Sequence, residues 1–183
     1  MPLIYEPPPN SGPLRQGEIL ADIYEHRPLY PAAALAEDST IEFRSYYHRL
    51  AIVMTPDCDL EWDCQARSET DEAEESDHPQ LLPHVLLCDV YGTSEIRQRV
   101  AGSDVWKRIQ QNQDERYHHL SASPIWLPDI YMDFKKTLAL ATENLYSGMT
   151  SGGIRRVAVV PPLYLQDLTH RFYGFLSRVA LPE

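Results

Sequence analysis

His48-Arg49-Leu50-Ala51-Ile52-Val53-Met54-Thr55 is the stretch on which the fold turns. Every side chain from Leu50 to Met54 is apolar, and Pro56-Asp57 follows as a turn signal. A continuous apolar run this short predicts a strand buried on both faces rather than one with a wet side. Upstream, Thr40 to His48 is rich in aromatic and β-branched residues and predicts a strand of its own. Gln16 to Tyr24 opens with apolar and polar residues in alternation, which predicts the first strand. Downstream, Leu81 to Tyr91 is a second apolar run, predicted to pair with 50–55. Between the two, residues 66–79 are acidic, Ser-rich and without large apolar groups, so they cannot offset their ordering entropy and predict a mobile surface loop.

Further along, 26–39 carries Pro28 and Pro31 and predicts a loop. A helix is expected from 103 to about 112, with Ser103 or Asp104 as N-cap. Residues 121–129 predict a loop, Asp129–Leu140 a strand, 143–146 a helical turn, 147–153 a flexible turn and Ile154–Val160 the last strand. Leu163 to Val179 predicts the longest helix. Pro162 suits its first turn, and Leu165, Leu168, Phe172, Phe175, Leu176 and Val179 recur at helical spacing. The first 13 residues contain five prolines and predict an extended arm ahead of one globular domain spanning 14–183.

A chain of 183 residues with 43% apolar content suits one domain with a proper core. No apolar run is long enough to cross a membrane, and the N-terminus lacks the pattern of a secretory signal, so a cytoplasmic protein that does not engage membranes is expected. Three cysteines, Cys58, Cys64 and Cys88, fit reduced thiols better than a disulfide scaffold. The formal net charge is −11, and it stays acidic when the segment 67–78 is set aside. This disfavours nucleic acid as a partner and suits a protein with a basic surface.

The densest chemistry lies in Thr55-Pro-Asp-Cys-Asp-Leu-Glu-Trp-Asp-Cys64. Cys58 and Cys64 with His118 or His119 are the donor types of a zinc site. Asp57 and Asp59 with Asp89 or Asp133 would suit a hard cation. The plainer alternative is an Asx-type turn, in which the two aspartates satisfy backbone N–H groups, with no cofactor at all. Paired His118-His119 are either acid–base groups or ordinary hydrogen-bonded residues. Arg155, Arg156, His170, Arg171 and Arg178 form the one sizeable basic cluster, which is either a binding surface or a solvated face. The common nucleotide-binding and zinc-protease motifs are absent from the chain.

Arg15-Gln-Gly-Glu-Ile19, His48 to Asp57 and the later Val-Leu-Leu-Cys-Asp-Val-Tyr91 resemble the PemK/MazF-like toxins. That resemblance implies an SH3-like barrel and metal-free cleavage of single-stranded RNA, with Arg49 at the position of the catalytic arginine and Thr55 or a histidine assisting. Leu50 stands where that family has proline, and Arg44 where it has an acid. A second set of strings, Thr55 to Glu61, Tyr117 to Leu120, Asp133-Phe134 and Arg178 to Pro182, is similar to a bacterial family without an assigned activity. It singles out Cys58, Asp59, His118, Asp133 and Arg178. The combined expectation is an α+β fold: a small SH3-like barrel with an inserted acidic loop and helices packed outside. The expected function is a non-catalytic interaction module or small subunit of a bacterial or phage-conflict complex, with Asp59, Asp133, Arg156 and Arg178 as binding residues. The alternatives are the ribonuclease and a metal-dependent hydrolase site around Cys58 and Asp59.

Overall fold

The computed structural model describes residues 4–29, 41–69 and 78–178. In chain order the elements are β1 (Glu18–Leu29), β2 (Glu42–Val53), α1 (Asp57–Glu69), β3 (His84–Gly92), α2 (Thr93–Arg99), α3 (Ser103–Gln110), β4 (Tyr117–Leu120), β5 (Ile130–Ala141), α4 (Thr142–Thr150), β6 (Arg155–Val159) and α5 (Pro162–Leu176). The strands form one antiparallel sheet in the order β4-β5-β3-β2-β1-β6.

The sheet is open, which corrects the SH3-like barrel expected from the sequence: β4 and β6 lie at opposite edges with four strands between them. The reason lies in the run at 50–54. Alternate residues on the central strands supply two separate cores. Ile19, Ile52, Cys88 and Met132 pack with Leu168 and Phe172 of α5. Leu20, Ala51, Val53 and Leu87 pack with Leu60 of α1 and Leu145 of α4. Both faces are thus covered by helices, and neither is left to close on itself.

The edges are blunted locally. Glu6 exchanges backbone hydrogen bonds with Val159 at 2.8 and 3.0 Å, so the Pro-rich arm lies along β6 and Tyr5 is fully buried. At the other edge the Asn112 side chain bonds both the N–H and the C=O of His119, at 2.6 and 2.9 Å. Capping an edge strand in this way removes a template for unwanted pairing.

Several local expectations change. The strands expected at 40–48 and 49–55 are one strand, and residues 26–29 continue β1 where a loop was expected. The acid-and-thiol segment after Pro56 is helix, not a turn, and runs through residues 66–69 of the expected acidic loop. Residues 70–77 of that loop lie outside the described residues, as do 30–40 and Val179. Helix α3 is capped by Gly102 rather than Ser103 or Asp104. α4 extends through Thr150, and α2 was not foreseen. In α5 Pro162 does occupy the first turn, while Leu176 is 53% exposed, so the buried stripe is narrower than the periodicity implied.

Candidate functional site

β1 and β2 stay paired along their length, yet β6 joins β1 only at Glu18–Ala21 and β3 joins β2 only at Ala51–Val53. The outer halves therefore project as a two-stranded ribbon. Asp22, at φ 64°, sits where β1 leaves β6. Aspartate tolerates this left-handed conformation better than most residues, and here Tyr47 and Arg155 bond its carboxylate at 2.7 and 2.9 Å.

Cross-strand partners share a face. Register places Glu25 opposite Tyr46 and Ile23 opposite His48, so Glu25, Arg27, Tyr46 and His48 line one face of the ribbon. That face meets Asp89 and Tyr91 of β3. On β5 the pairing jumps from Val90↔Met132 to Cys88↔Thr137, so residues 133–136 bow out opposite Asp89. Bulges re-aim side chains, and this one delivers Lys136 to the same place. Arg99 enters from the end of α2 and Arg116 from the segment before β4. Together they enclose a cavity of about 500 Å³.

Three arginines at this cavity each lie over a tyrosine ring: Arg27 over Tyr46 at 4.5 Å, Arg99 over Tyr91 at 3.9 Å and Arg116 over Tyr117 at 4.9 Å. Contact with a ring face holds a guanidinium group in place, and of the three only Arg99 has no N–H edge bound to a carboxylate among the described residues. Arg116 is also held by fully buried Asp133 through two bonds of 2.7 and 2.6 Å. Arg27 bonds Glu25 at 2.7 and 2.8 Å. Arg99 and Lys136 make no ion pair with a carboxylate among the described residues.

His48 links the parts. Its Nδ1 lies 2.6 Å from Asp89 and its Nε2 3.3 Å from Glu25. Asp89 also accepts the Tyr91 hydroxyl at 2.9 Å. A continuous hydrogen-bonded chain thus runs from Arg27 through Glu25, His48 and Asp89 to Tyr91, whose ring lies against Arg99. The hydrogen bond to Asp89 raises the His48 pKa above its ordinary 6.5; burial opposes this, and Glu25 adds to it. Glu25 is held below its ordinary range, first by Arg27. Tyr91 is pushed up to about 12, chiefly by burial, and remains a phenol. As an imidazolium, His48 donates from both nitrogens at once.

A pH dependence follows. A pKa raised by folding stabilises the native state fully below the unfolded value of 6.5, and that contribution fades as pH rises through the folded value. His48→Gln should therefore cost more stability near pH 5.5 than near pH 8.5, measured by urea unfolding, and an equal cost at both would show that the clamp is not charged.

Apart from Asp89, the residues singled out from sequence do not line this site. Arg49 is exposed and pairs with Glu95 at 3.5 Å; Thr55 accepts the Leu86 N–H at 2.8 Å. Six residues apart on or near one strand, they lie about 20 Å apart and cannot form one catalytic pair. Cys58 and Cys64 lie on α1, about 120° apart around its axis and about 9 Å along it, so they cannot grip one ion without unwinding the helix. Cys58 is raised in pKa, first by its contact with Asp59 at 3.4 Å, and is not an activated thiol. Asp57 does satisfy a backbone N–H, that of Gln16 at 2.6 Å. His118 accepts from Arg171, while His119 contacts Asp129 and the Gln110 carbonyl, both at 3.0 Å. Arg156 is bound to fully buried Glu18, and Arg178 lies over Phe175 and reaches Glu115. No cluster of three or more potential metal ligands occurs among the described residues.

Of the sequence-selected residues, Asp89 lines the cavity and Asp133 touches its frame through Arg116. The residues missed are Arg27, Tyr46, His48, Tyr91, Arg99, Arg116 and Lys136. One signal was present: Tyr46/His48 and Asp89/Tyr91 are polar pairs at i, i+2 beside apolar runs, which puts each pair on one face of a strand. No helix among the described residues is long and apolar enough to cross a membrane. No family model matches the chain, and no curated protein is detectably similar to it.

Proposed function

We propose that this protein is a non-catalytic binding module that takes a phosphate-bearing ligand into the cavity beneath the β1–β2 ribbon. The observation that carries this reading is the set of three Arg–Tyr stacks around one cavity, joined by Lys136, in a chain of formal charge −11. Arg99, held over Tyr91 and without a carboxylate partner among the described residues, matches the planar, bidentate geometry of phosphate oxygens, Lys136 adds a second unpaired charge, and Arg27 and Arg116 add positive field from fixed positions. The volume lies within the usual range of small-molecule sites. Both nitrogens of His48 are committed to carboxylates, which supports binding over turnover. The interaction module expected from the sequence is kept, with its recognition moved from an acidic docking surface to a basic cavity.

Titration calorimetry with pyrophosphate at low ionic strength tests this. Arg99→Ala and Lys136→Ala should each weaken binding about ten-fold, the loss of one charge-assisted contact. Arg178→Ala, away from the cavity, should leave it unchanged. Absence of binding at millimolar pyrophosphate, or an equal loss in Arg178→Ala, would overturn the reading.

A further inference from the structure

We infer that the phosphate-bearing ligand is single-stranded nucleic acid, whose bases stack on the ribbon face opposite the cavity while a backbone phosphate enters the Arg–Tyr site. The inference rests on the cavity reading above and adds a second surface to it.

Register places Tyr24 opposite Tyr47 and Pro28 opposite Phe43, one step out of phase with the residues that line the cavity. These rings therefore occupy the other face of the ribbon. Tyr24 and Tyr47 pack against each other with centroids 5.1 Å apart. Tyr24, Tyr47 and Phe43 are 59%, 53% and 62% exposed. Three large rings in water on a two-stranded ribbon are unusual, because such a ribbon is marginal without something packed on it. Phe43 and Tyr47 stand about 13 Å apart along β2, with Arg49 two residues beyond Tyr47 on the same face, His26 on the neighbouring strand, and Arg44 on the cavity face. Exposed aromatic faces flanked by cations and close to a phosphate receptor are the elements of a single-strand platform, since every base offers a π-face and every step a phosphate. Among the described residues no strand pairs with β1 beyond Ala21 or with β2 before Ala51, so a nucleic-acid chain can cross from the aromatic face to the cavity without displacing described sheet structure.

Charge decides among occupants. A chain of −11 repels the long phosphate track of a duplex, and a duplex hides the base faces the rings would use. A second copy pairing antiparallel along β2 about Tyr46 would set Arg44 against His48, like charges directly opposed. The β1 edge carries Pro28, which has no N–H to offer a partner strand. A few phosphates of a single strand meet the local cations and stay clear of the acidic remainder.

The test is fluorescence polarisation with a labelled octauridylate, run beside pyrophosphate calorimetry on the full chain. The oligonucleotide should bind at least about ten-fold tighter than uridine monophosphate, because stacking adds to the phosphate contact. The double variant Tyr24→Ala/Tyr47→Ala should weaken the oligonucleotide by about ten-fold or more and leave pyrophosphate affinity unchanged. Phe43→Ala, a separate change on the same exposed face, repeats the test independently of the tyrosine pair. Arg99→Ala should weaken both probes. If pyrophosphate binds but the oligonucleotide binds no tighter than the monophosphate, or is indifferent to the aromatic variants, this inference falls and the cavity reading stands. If neither probe binds, both fall. Equal affinity for a duplex of the same length, or a dimer in sedimentation that the tyrosine variant dissolves, also overturns it.

Discussion

Glu18→Ala should destabilise the protein by about 3–5 kcal/mol, the usual cost of leaving one member of a buried ion pair alone. Glu18 is fully buried, and the Arg156 side chain is 12% exposed. The guanidinium binds both carboxylate oxygens and also donates to the carbonyls of Gly12 and Pro13, at 3.2 and 2.8 Å. The same carboxylate accepts the Arg15 N–H at 3.0 Å. One pair thus ties β1, β6 and the Pro-rich arm together. Without Glu18 the arginine keeps its charge in a site from which water is largely excluded. Thermal unfolding should show a drop of roughly 10 °C in Tm for a chain of this size. Arg156→Met/Glu18→Leu should recover part of the loss, because an apolar pair of similar bulk removes the stranded charge. A drop of only a degree or two in Glu18→Ala would mean that the pair is solvated. Arg156, selected from sequence as a binding residue, is on this account a structural clamp.

Arg171→Leu is the second large effect, at about 3 kcal/mol or more, since several buried acceptors lose their donor together. From α5, Arg171 reaches His118 Nδ1 at 3.1 Å and the carbonyls of Asn112, Asp114 (2.6 Å) and Tyr117 (2.9 Å). It fastens α5 to the segment that leads into edge strand β4. His118 can accept because it is neutral: its pKa is pushed down to about 3, first by burial, then by Arg171 and His119. Arg171→Lys should recover little, as one compact ammonium group cannot span four acceptors held by a planar fork. Unfolding in urea gives the magnitude, and hydrogen exchange should speed up across 112–120 in the leucine variant. Arg178→Ala, just past the C-terminal end of the same helix, should stay within about 0.5 kcal/mol of the parent. Equal effects of the two substitutions would remove the special role given to Arg171.

Much of the sheet was readable from pattern because its strands are locally decided. The apolar run at 50–54 has no wet face, and it forms the centre of the sheet. The pairing of 50–55 with the run ending at Tyr91 follows from two apolar segments that need each other's backbone bonds. α1 was not readable, and the reason is specific. Its buried stripe is Leu60, Asp63 and Ala66, with a carboxylate in the middle. Asp63 is tolerated there only because Arg67 bonds it at 3.0 Å and the Leu82 N–H at 2.7 Å, and the second partner arrives from a distant segment. An amphipathic signal interrupted by its own key residue looks like a turn.

The site failed to show for a related reason. Proximity in sequence drew attention to Cys58, Asp59 and Cys64, but helical geometry splays them. The cavity takes Arg27 from β1, His48 from β2, Asp89 from β3, Arg99 from α2 and Lys136 from a bulge in β5. No two of those elements adjoin in a way that spacing alone could reveal.

Periodicity and composition were enough for the α+β class, for the central strands and for a C-terminal helix starting at proline, because hydrophobic burial acts on each segment through its own pattern. The closure of the sheet, the left-handed kink at Asp22 beside the projecting ribbon, and the meeting of three Arg–Tyr stacks were decided only in three dimensions. Those features depend on register, bulges and which face each helix covers, and such quantities are set by contacts between segments far apart in the chain.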